Sequence, residues 1–225
     1  GDYLLEREDP RGEFIQLLHP DDRLRPRRIE AMLGALLGSD AEWGFARVAP
    51  IDRSGQPCAR AADARAAAVV ALQDGIMMAP TPGLSMLRGN PAISGGNLMF
   101  RKRLWKTLGG FRDYRYTRDW EFCLRAALAC EPVLVSEPLY EYRVHAGNTI
   151  SEADSGMRDE RGRMLASFVE YANSRPAWAN PFAPTLGNWG DGMLAVLGAT
   201  DLLRHVPRAA LERALSTGSR HGASA

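Results

Sequence analysis

Lysine is almost absent from this chain. Of 28 Lys+Arg, only Lys102 and Lys106 are lysines. That arginine excess reads as coding bias, with little bearing on function. Net charge is also scarce, at +1. Neither a basic nucleic-acid arm nor an acidic tail organises such a molecule, and no nucleic-acid partner is expected. Long apolar runs are missing, because charges interrupt every hydrophobic stretch before it could span a bilayer. The opening residues, GDYLLERED, are acidic where a secretory signal would be positive. Cysteine is sparse: Cys58, Cys123 and Cys130 form no C-x-x-C pair and are odd in number. Reduced thiols in a cytosolic protein are the expectation. Catalytic signatures are missing too. There is no H-E-x-x-H, no G-x-S-x-G, no P-loop frame and no zinc-type Cys/His spacing. The densest basic runs, Arg25–Arg28 and Arg101–Arg103, lack the interleaved aromatics that single-strand binding wants.

What is present is ordinary globular material. The chain has 225 residues, 45% hydrophobic and 24% charged. That is enough for a real core, and one domain with an appended subdomain is the expectation. Glu13–Leu18 reads as a short buried strand running into the turn composition His19-Pro20-Asp21-Asp22. Ile29, Met32, Leu33, Leu36 and Leu37 then follow at helical spacing after Pro26. Glu42–Ile51 alternates as a strand and ends in a turn at Asp52–Gly55. A helix is expected over Ala59–Leu72, and a long loop over 74–94. Asn97–Phe100 reads as a strand, and Arg101–Leu108 as a short helix stopped by Gly109-Gly110. Thr117–Ala129 predicts an amphipathic helix, and Pro132–Val144 one or two strands punctuated by Pro138. After Ser151 the character turns helical, with segments near 158–174, 189–204 and 207–216.

Four constellations could carry chemistry, each with a plainer alternative. Asp21 and Asp22 close a strand and precede a helix. They offer hard oxygen ligands for Mg²⁺ or Mn²⁺, or one of them simply caps the helix. Asp119 lies in the first turn of a helix with Thr117 as its N-cap. It is either a general base or acidic dressing of the helix dipole, and Glu121 points away from it. His145 ends an alternating strand and could reach a metal or phosphate, or be an ordinary histidine. Arg143 could meet a phosphate, or pair with Glu141 or Glu137. Ser94-Gly95-Gly96-Asn97 permits close backbone approach to a ligand.

The order of these segments is more specific than any one of them. The stretch RGEFIQLLHPDDRLRPRRIEAML resembles a strand, an acidic D-x-D turn and the following helix. EWGFARVAPIDRSGQP is similar to the hairpin that comes next. GGNLMFRKRLWKTLGGFRDYRYTRDWEFCLRA looks like an acceptor-side segment leading into a catalytic-base helix. PVLVSEPLYEYRVHAGNTIS looks like closing strands with a following histidine. Together they resemble the catalytic half of the family 2 glycosyltransferases, inverting enzymes of the GT-A fold. The resemblance runs from about Arg11 to Ser151.

It implies an α/β fold: a partial GT-A, Rossmann-like mixed sheet flanked by helices over 1–151, with a helical C-terminal extension over 152–225. It implies transfer of a sugar from a nucleotide-diphosphate donor to an acceptor hydroxyl, with inversion. The acceptor would be a sugar, a lipid-linked molecule or a protein. Asp21 would hold Mn²⁺ or Mg²⁺ on the diphosphate, with His19 and His145 beside it. Asp119 matches the Asp of the family's T-E-D-like or E-D-W motif, the general base. Gly95, Gly96 and Asn97 match the loop near donor and acceptor sugars, and Trp120 is expected beside the acceptor channel. Arg118 and Arg143 are further candidates for donor or acceptor binding. Such a mechanism is physically coherent: the metal stabilises the departing diphosphate and the base activates the attacking hydroxyl.

Three departures accompany the resemblance. His19 stands where the first Asp of D-x-D is usual. Arg118 replaces the Glu that often precedes the base, and could hold Asp119 ionised or bind an acidic acceptor. Only 18 residues precede His19, where the family places its nucleotide-binding strands. The chain is therefore expected to be a fragment or a degenerate copy, poorly soluble and catalytically silent alone, with a bare apolar sheet edge. A non-catalytic binding module and a phosphohydrolase using Asp21, Asp22 and His145 remain the alternatives. Trp178, Phe182 and Trp189 could form an apolar surface for a membrane or lipid-linked acceptor, or pack back onto the protein. The expected location is the cytoplasm, with peripheral association at the inner face of the membrane left open.

Overall fold

The computed structural model describes residues 11–58, 63–145, 155–199 and 202–217. It is an α/β fold. Five strands form one mixed sheet: β1 (Phe14–Gln16), β2 (Arg23–Leu24), β3 (Trp43–Ile51), β4 (Leu98–Arg101) and β5 (Val133–Arg143), in the order β1-β4-β3-β5-β2. Eight α-helices occur among the described residues. They are α1 (Arg28–Leu37), α2 (Ala64–Asp74), α3 (Pro82–Ser85), α4 (Lys102–Leu108), α5 (Arg118–Ala129), α6 (Ser155–Ala172), α7 (Leu186–Ala199) and α8 (Arg208–Thr217).

Two compact units share this chain. The first takes the described residues up to Asp74, Ala92–Arg112 and those from Pro132 to His145. The second takes Gly75–Pro91, Asp113–Glu131 and the described residues from Ser155 onward.

The first unit is built around β3. Trp43, Phe45 and Ala46 are fully buried, as expected of a central strand covered on both faces. β4 pairs with it antiparallel and β5 parallel. Pro138 does not split β5 into two strands. It sits at a break in register, where Ala46 opposes Val135 but Arg47 opposes Pro138. Proline has no N–H to donate, so a bulge is where a strand can tolerate it. α1 lays Met32 and Leu36, both 0% exposed, against Ala46, Met99 and Leu139. On the other flank Val69 of α2 packs with Val48, Ile93, Tyr140 and Tyr142. α4 ends at Gly109, whose φ of 72° is the left-handed conformation glycine adopts cheaply.

The outer strands are three and two residues long. Phe14 of β1 lies 4.5 Å beneath the Arg101 guanidinium, and Arg101 also pairs with Glu13. Short strands dressed with charge are a common defence of sheet edges.

In the second unit α5 departs from the amphipathic expectation. Every residue from Trp120 to Leu128 is buried, including Glu121 and Arg125. The charges survive burial because they pair: Arg125 Nε lies 2.6 Å from Glu121 Oε1, and Nη2 2.8 Å from Oε2. The segment read as one long loop holds a 3₁₀ turn (Gly75–Met78) and α3, capped by the Thr81 hydroxyl accepting the Leu84 N–H. The apolar platform expected of the tail is largely covered. Trp189 is buried and donates its indole N–H to the Phe182 carbonyl at 3.1 Å. Trp178 donates to the Ala172 carbonyl and is covered by Arg175, 3.6 Å from its ring centre. Of these three aromatic residues, Phe182 is the most exposed, at 40%. Among the described residues no helix is long and apolar enough to cross a membrane.

Candidate functional site

The acidic turn leaves β1 and is closed by the Asp22 N–H donating to the His19 carbonyl at 3.1 Å. This turn exposes about half of the His19 and Asp21 side chains. His19 Nδ1 lies 3.8 Å from Asp21 Oδ2, and His145 Nε2, just past β5, lies 3.7 Å from the same oxygen. Chain topology thus brings two of the three expected metal ligands, His19 and His145, around the third, the Asp21 carboxylate. Two imidazoles and a carboxylate suit Mn²⁺ better than Mg²⁺ by ligand type. Among the described residues, however, no group of three or more His, Cys, Asp or Glu side chains is disposed to hold a metal ion as it stands. The three would have to draw inward around one.

Asp22 has a different task. It neither caps α1 nor stands ready as a ligand. The cap position of α1 is Arg27, with no side-chain cap bond. Asp22 is 8% exposed. Its Oδ2 accepts the Tyr140 hydroxyl at 2.5 Å, and its Oδ1 accepts the Arg143 N–H at 2.9 Å. Burial pushes its carboxyl up, against the lowering pull of those two bonds. Tyr140 is pushed up in turn, by burial and then by the charge of Asp22.

Arg143 fastens the turn from outside. Its Nε donates to the Asp21 carbonyl at 2.7 Å, and its Nη1 to the carbonyls of Asp52 and Arg53 at 2.7 and 3.0 Å. Glu141, one of its expected partners, pairs with Arg23 and Arg25 at 2.8 and 3.2 Å.

The Gly95–Asn97 segment is a 3₁₀ turn seated in the core. A Cβ at Gly96 would collide with the Tyr140 hydroxyl and come within 2.8 Å of the His19 nitrogen. Glycine is therefore required there by packing. Asn97 is 0% exposed. Its Nδ2 donates to the Ala46 and Ala92 carbonyls, and its Oδ1 accepts from Arg28 Nη1 and the Ala46 N–H. Both donors and both lone-pair directions are used, which leaves nothing for a sugar. The structure thus places Asn97, one of the expected ligand-binding residues, inside the core network. Its partner Arg28 is the residue the sequence reading missed. Arg28 is 0% exposed, and burial lowers its guanidinium to about 10. An arginine in a run of arginines carries no sequence signal of burial.

The second candidate group lies on α5. Asp119 is half-buried in the first turn. Its Oδ2 accepts from Asn90 Nδ2 at 3.0 Å and its Oδ1 from the Trp120 N–H at 2.9 Å. Thr117 occupies the N-cap position as expected, but makes no cap bond. Its hydroxyl donates to Glu160 at 3.1 Å. Trp120 is 7% exposed and donates its indole N–H to the Met86 carbonyl at 2.7 Å, which ties α5 to the α3 segment. Arg118 donates Nε to the Tyr114 carbonyl at 3.2 Å and lies 3.9 Å from Asp113. Glu121 turns into the core toward Arg125, away from Asp119 as expected. Asn90 and Glu160 were not among the expected residues. Asn90 lies in a stretch read only as loop, and Glu160 in a helix read only as extension.

No protein-family model and no curated protein matches this chain. Among solved structures it is similar to S. aureus TarS 1–349 in complex with UDP-GlcNAc, with a TM-score of 0.46 and 15% identity. The alignment covers 92% of this chain and 60% of that one, so the chain spans about three fifths of its length.

Proposed function

We propose that this chain is the catalytic and acceptor-side part of an inverting, GT-A-type glycosyltransferase. It would move a sugar from a nucleotide-diphosphate donor to an acceptor hydroxyl. The observation that carries the reading is the convergence of His19 and His145 on Asp21 at the strand ends of the first unit. A segment order that resembles this family supports it.

In this reading Asp119 is the general base. It lies in the first turn of a buried helix, where the helix dipole favours its charge. Asn90 Nδ2 and the Trp120 N–H donate to its two oxygens and orient the carboxylate that would accept a hydroxyl proton. Asp21, His19 and His145 would hold Mn²⁺ or Mg²⁺. Such an ion, when bound, supplies charge neutralisation for a departing diphosphate. Arg143 and Asp22 fix the turn that presents Asp21. Gly95 and Gly96 stay candidates for donor or acceptor binding through their backbone, and Arg118 and Trp120 for the acceptor.

The deciding experiment follows nucleoside diphosphate release from a panel of nucleotide sugars, with and without Mn²⁺, in the full chain, D21N and D119N. Sugar-dependent release that needs acceptor and is lost in both variants supports the reading. Hydrolysis of simple phosphate esters, unaffected by D119N, would overturn it.

A further inference from the structure

We propose that Glu160 is a positioning residue for Asp119, acting through the backbone of Arg115–Thr117. This rests on the reading of Asp119 as the general base. Glu160 stands on α6 and is 8% exposed. Its Oε1 accepts the Tyr116 N–H at 2.7 Å, the Thr117 N–H at 2.9 Å and the Thr117 hydroxyl at 3.1 Å. Its Oε2 accepts the Arg115 N–H at 3.0 Å. Three successive amides and a hydroxyl thus converge on one carboxylate. Burial alone would raise its pKa, but the bonds outweigh burial and hold it below the usual range. The group is therefore charged near neutral pH, and charge-assisted bonds are the strong ones.

The location of these bonds gives them a consequence. Thr117 is the N-cap residue of α5, and Asp119 is in the first turn after it. Helix first turns have orphan N–H groups and fray when unfastened. Here the hydroxyl that would cap the helix goes to Glu160 instead. The first turn is held from outside, by α6. The two bonds that orient the Asp119 carboxylate, from Asn90 and from the Trp120 N–H, survive only while that turn keeps its place. A displacement of about 1 Å at a reacting group can cost on the order of a hundredfold in rate.

Two variants of the full chain, E160Q and E160A, would be compared with wild type and D119N. One readout is amide hydrogen exchange at Arg115, Tyr116, Thr117 and Trp120. The other is kcat and KM with UDP-, GDP- and dTDP-linked sugars as probes. In E160A, exchange at all four amides should rise by about tenfold or more as the turn opens locally. Its kcat should fall by about tenfold or more while KM stays within about twofold, because substrate contacts are untouched. E160Q keeps an acceptor oxygen and should fall between wild type and E160A in both readouts. If E160A fails to fold, E160Q carries both measurements.

Unchanged exchange at Trp120 would overturn the proposal, since the fastening would not reach Asp119. So would wild-type kcat in a variant whose exchange has risen, with D119N inactive. That second result leaves Asp119 standing as base. A D119N enzyme with wild-type turnover would instead remove the base reading, while exchange at Trp120 would still report whether Glu160 holds the turn.

Discussion

Asp21 and Asp22 are neighbours in sequence with opposite environments. Asp21 is 53% exposed by side chain and faces two histidines. Asp22 is buried under Tyr140 and the Arg143 N–H. Type and spacing could not tell them apart, because the distinction lies in Tyr140 on a distant strand. The same residue explains Gly96. Replacing Gly96 with Ala should destabilise the protein by about 1–3 kcal/mol, the usual cost of overpacking. Urea unfolding measures it, and an unchanged midpoint would contradict the packing account. Asn97→Leu should also destabilise, by about 1–3 kcal/mol for each buried group left unsatisfied, because it removes the Oδ1 acceptor of Arg28 Nη1 and the Nδ2 donor to the Ala46 and Ala92 carbonyls. For the chemistry, D119N should lower sugar transfer by about 10²–10⁴-fold, the range for losing a general base, with little change in thermal midpoint.

At the scale of elements, α5 is the informative case. Its sequence pattern predicted one apolar face, and Trp120, Leu124, Ala127 and Leu128 are indeed buried. Burial of the opposite face could not be read, since Glu121 and Arg125 look like a solvated i,i+4 pair. An ion pair in that position is worth little at a surface but much to its neighbours when buried. Arg125→Met should therefore cost about 3–5 kcal/mol by removing the opposite charge that both Glu121 oxygens face. A double change, E121L with R125M, should recover most of that loss. Thermal unfolding of the three proteins checks this. Equal losses in the single and double variants would show that the pair is not what matters. The strands were easier to read. β3, β4 and β5 fall within two residues of their expected limits, because alternation and turn residues mark them locally. β2 was missed, since two residues make no pattern.

At the scale of the whole molecule, pH tests the network of buried carboxyls. Glu160 has a pKa held below its ordinary 4.5, so the unfolded chain binds more protons than the folded one in that window. Its contribution is present above pH 4.5 and is lost as pH falls through the folded value. Asp22 and Glu131 have the opposite sign, because burial raises both. They favour the folded state at low pH and lose that contribution as pH rises through their folded values. Subtracting the stability of E160Q from that of wild type isolates Glu160. The difference should shrink as pH falls below 4.5, in chemical denaturation series at several pH values. A difference independent of pH would mean that the Arg115–Thr117 amides do not hold a charged Glu160.

The sequence by itself determined the α/β class, the main strands and helices, and the three residues that gather at the strand ends. Those follow from local rules: side-chain period, turn chemistry and the order of segments along the chain. Only the tertiary structure decided which polar residues are built into the framework, and through which partners. Asn97, Asp22 and Arg143 make hydrogen bonds that hold the first unit together, which their types and spacing do not show. Asn90 and Glu160 looked like nothing in particular, and they hold Asp119 and the turn before it. Hydrogen-bond satisfaction of a buried group is settled by partners far away in the chain, and no local pattern encodes those partners.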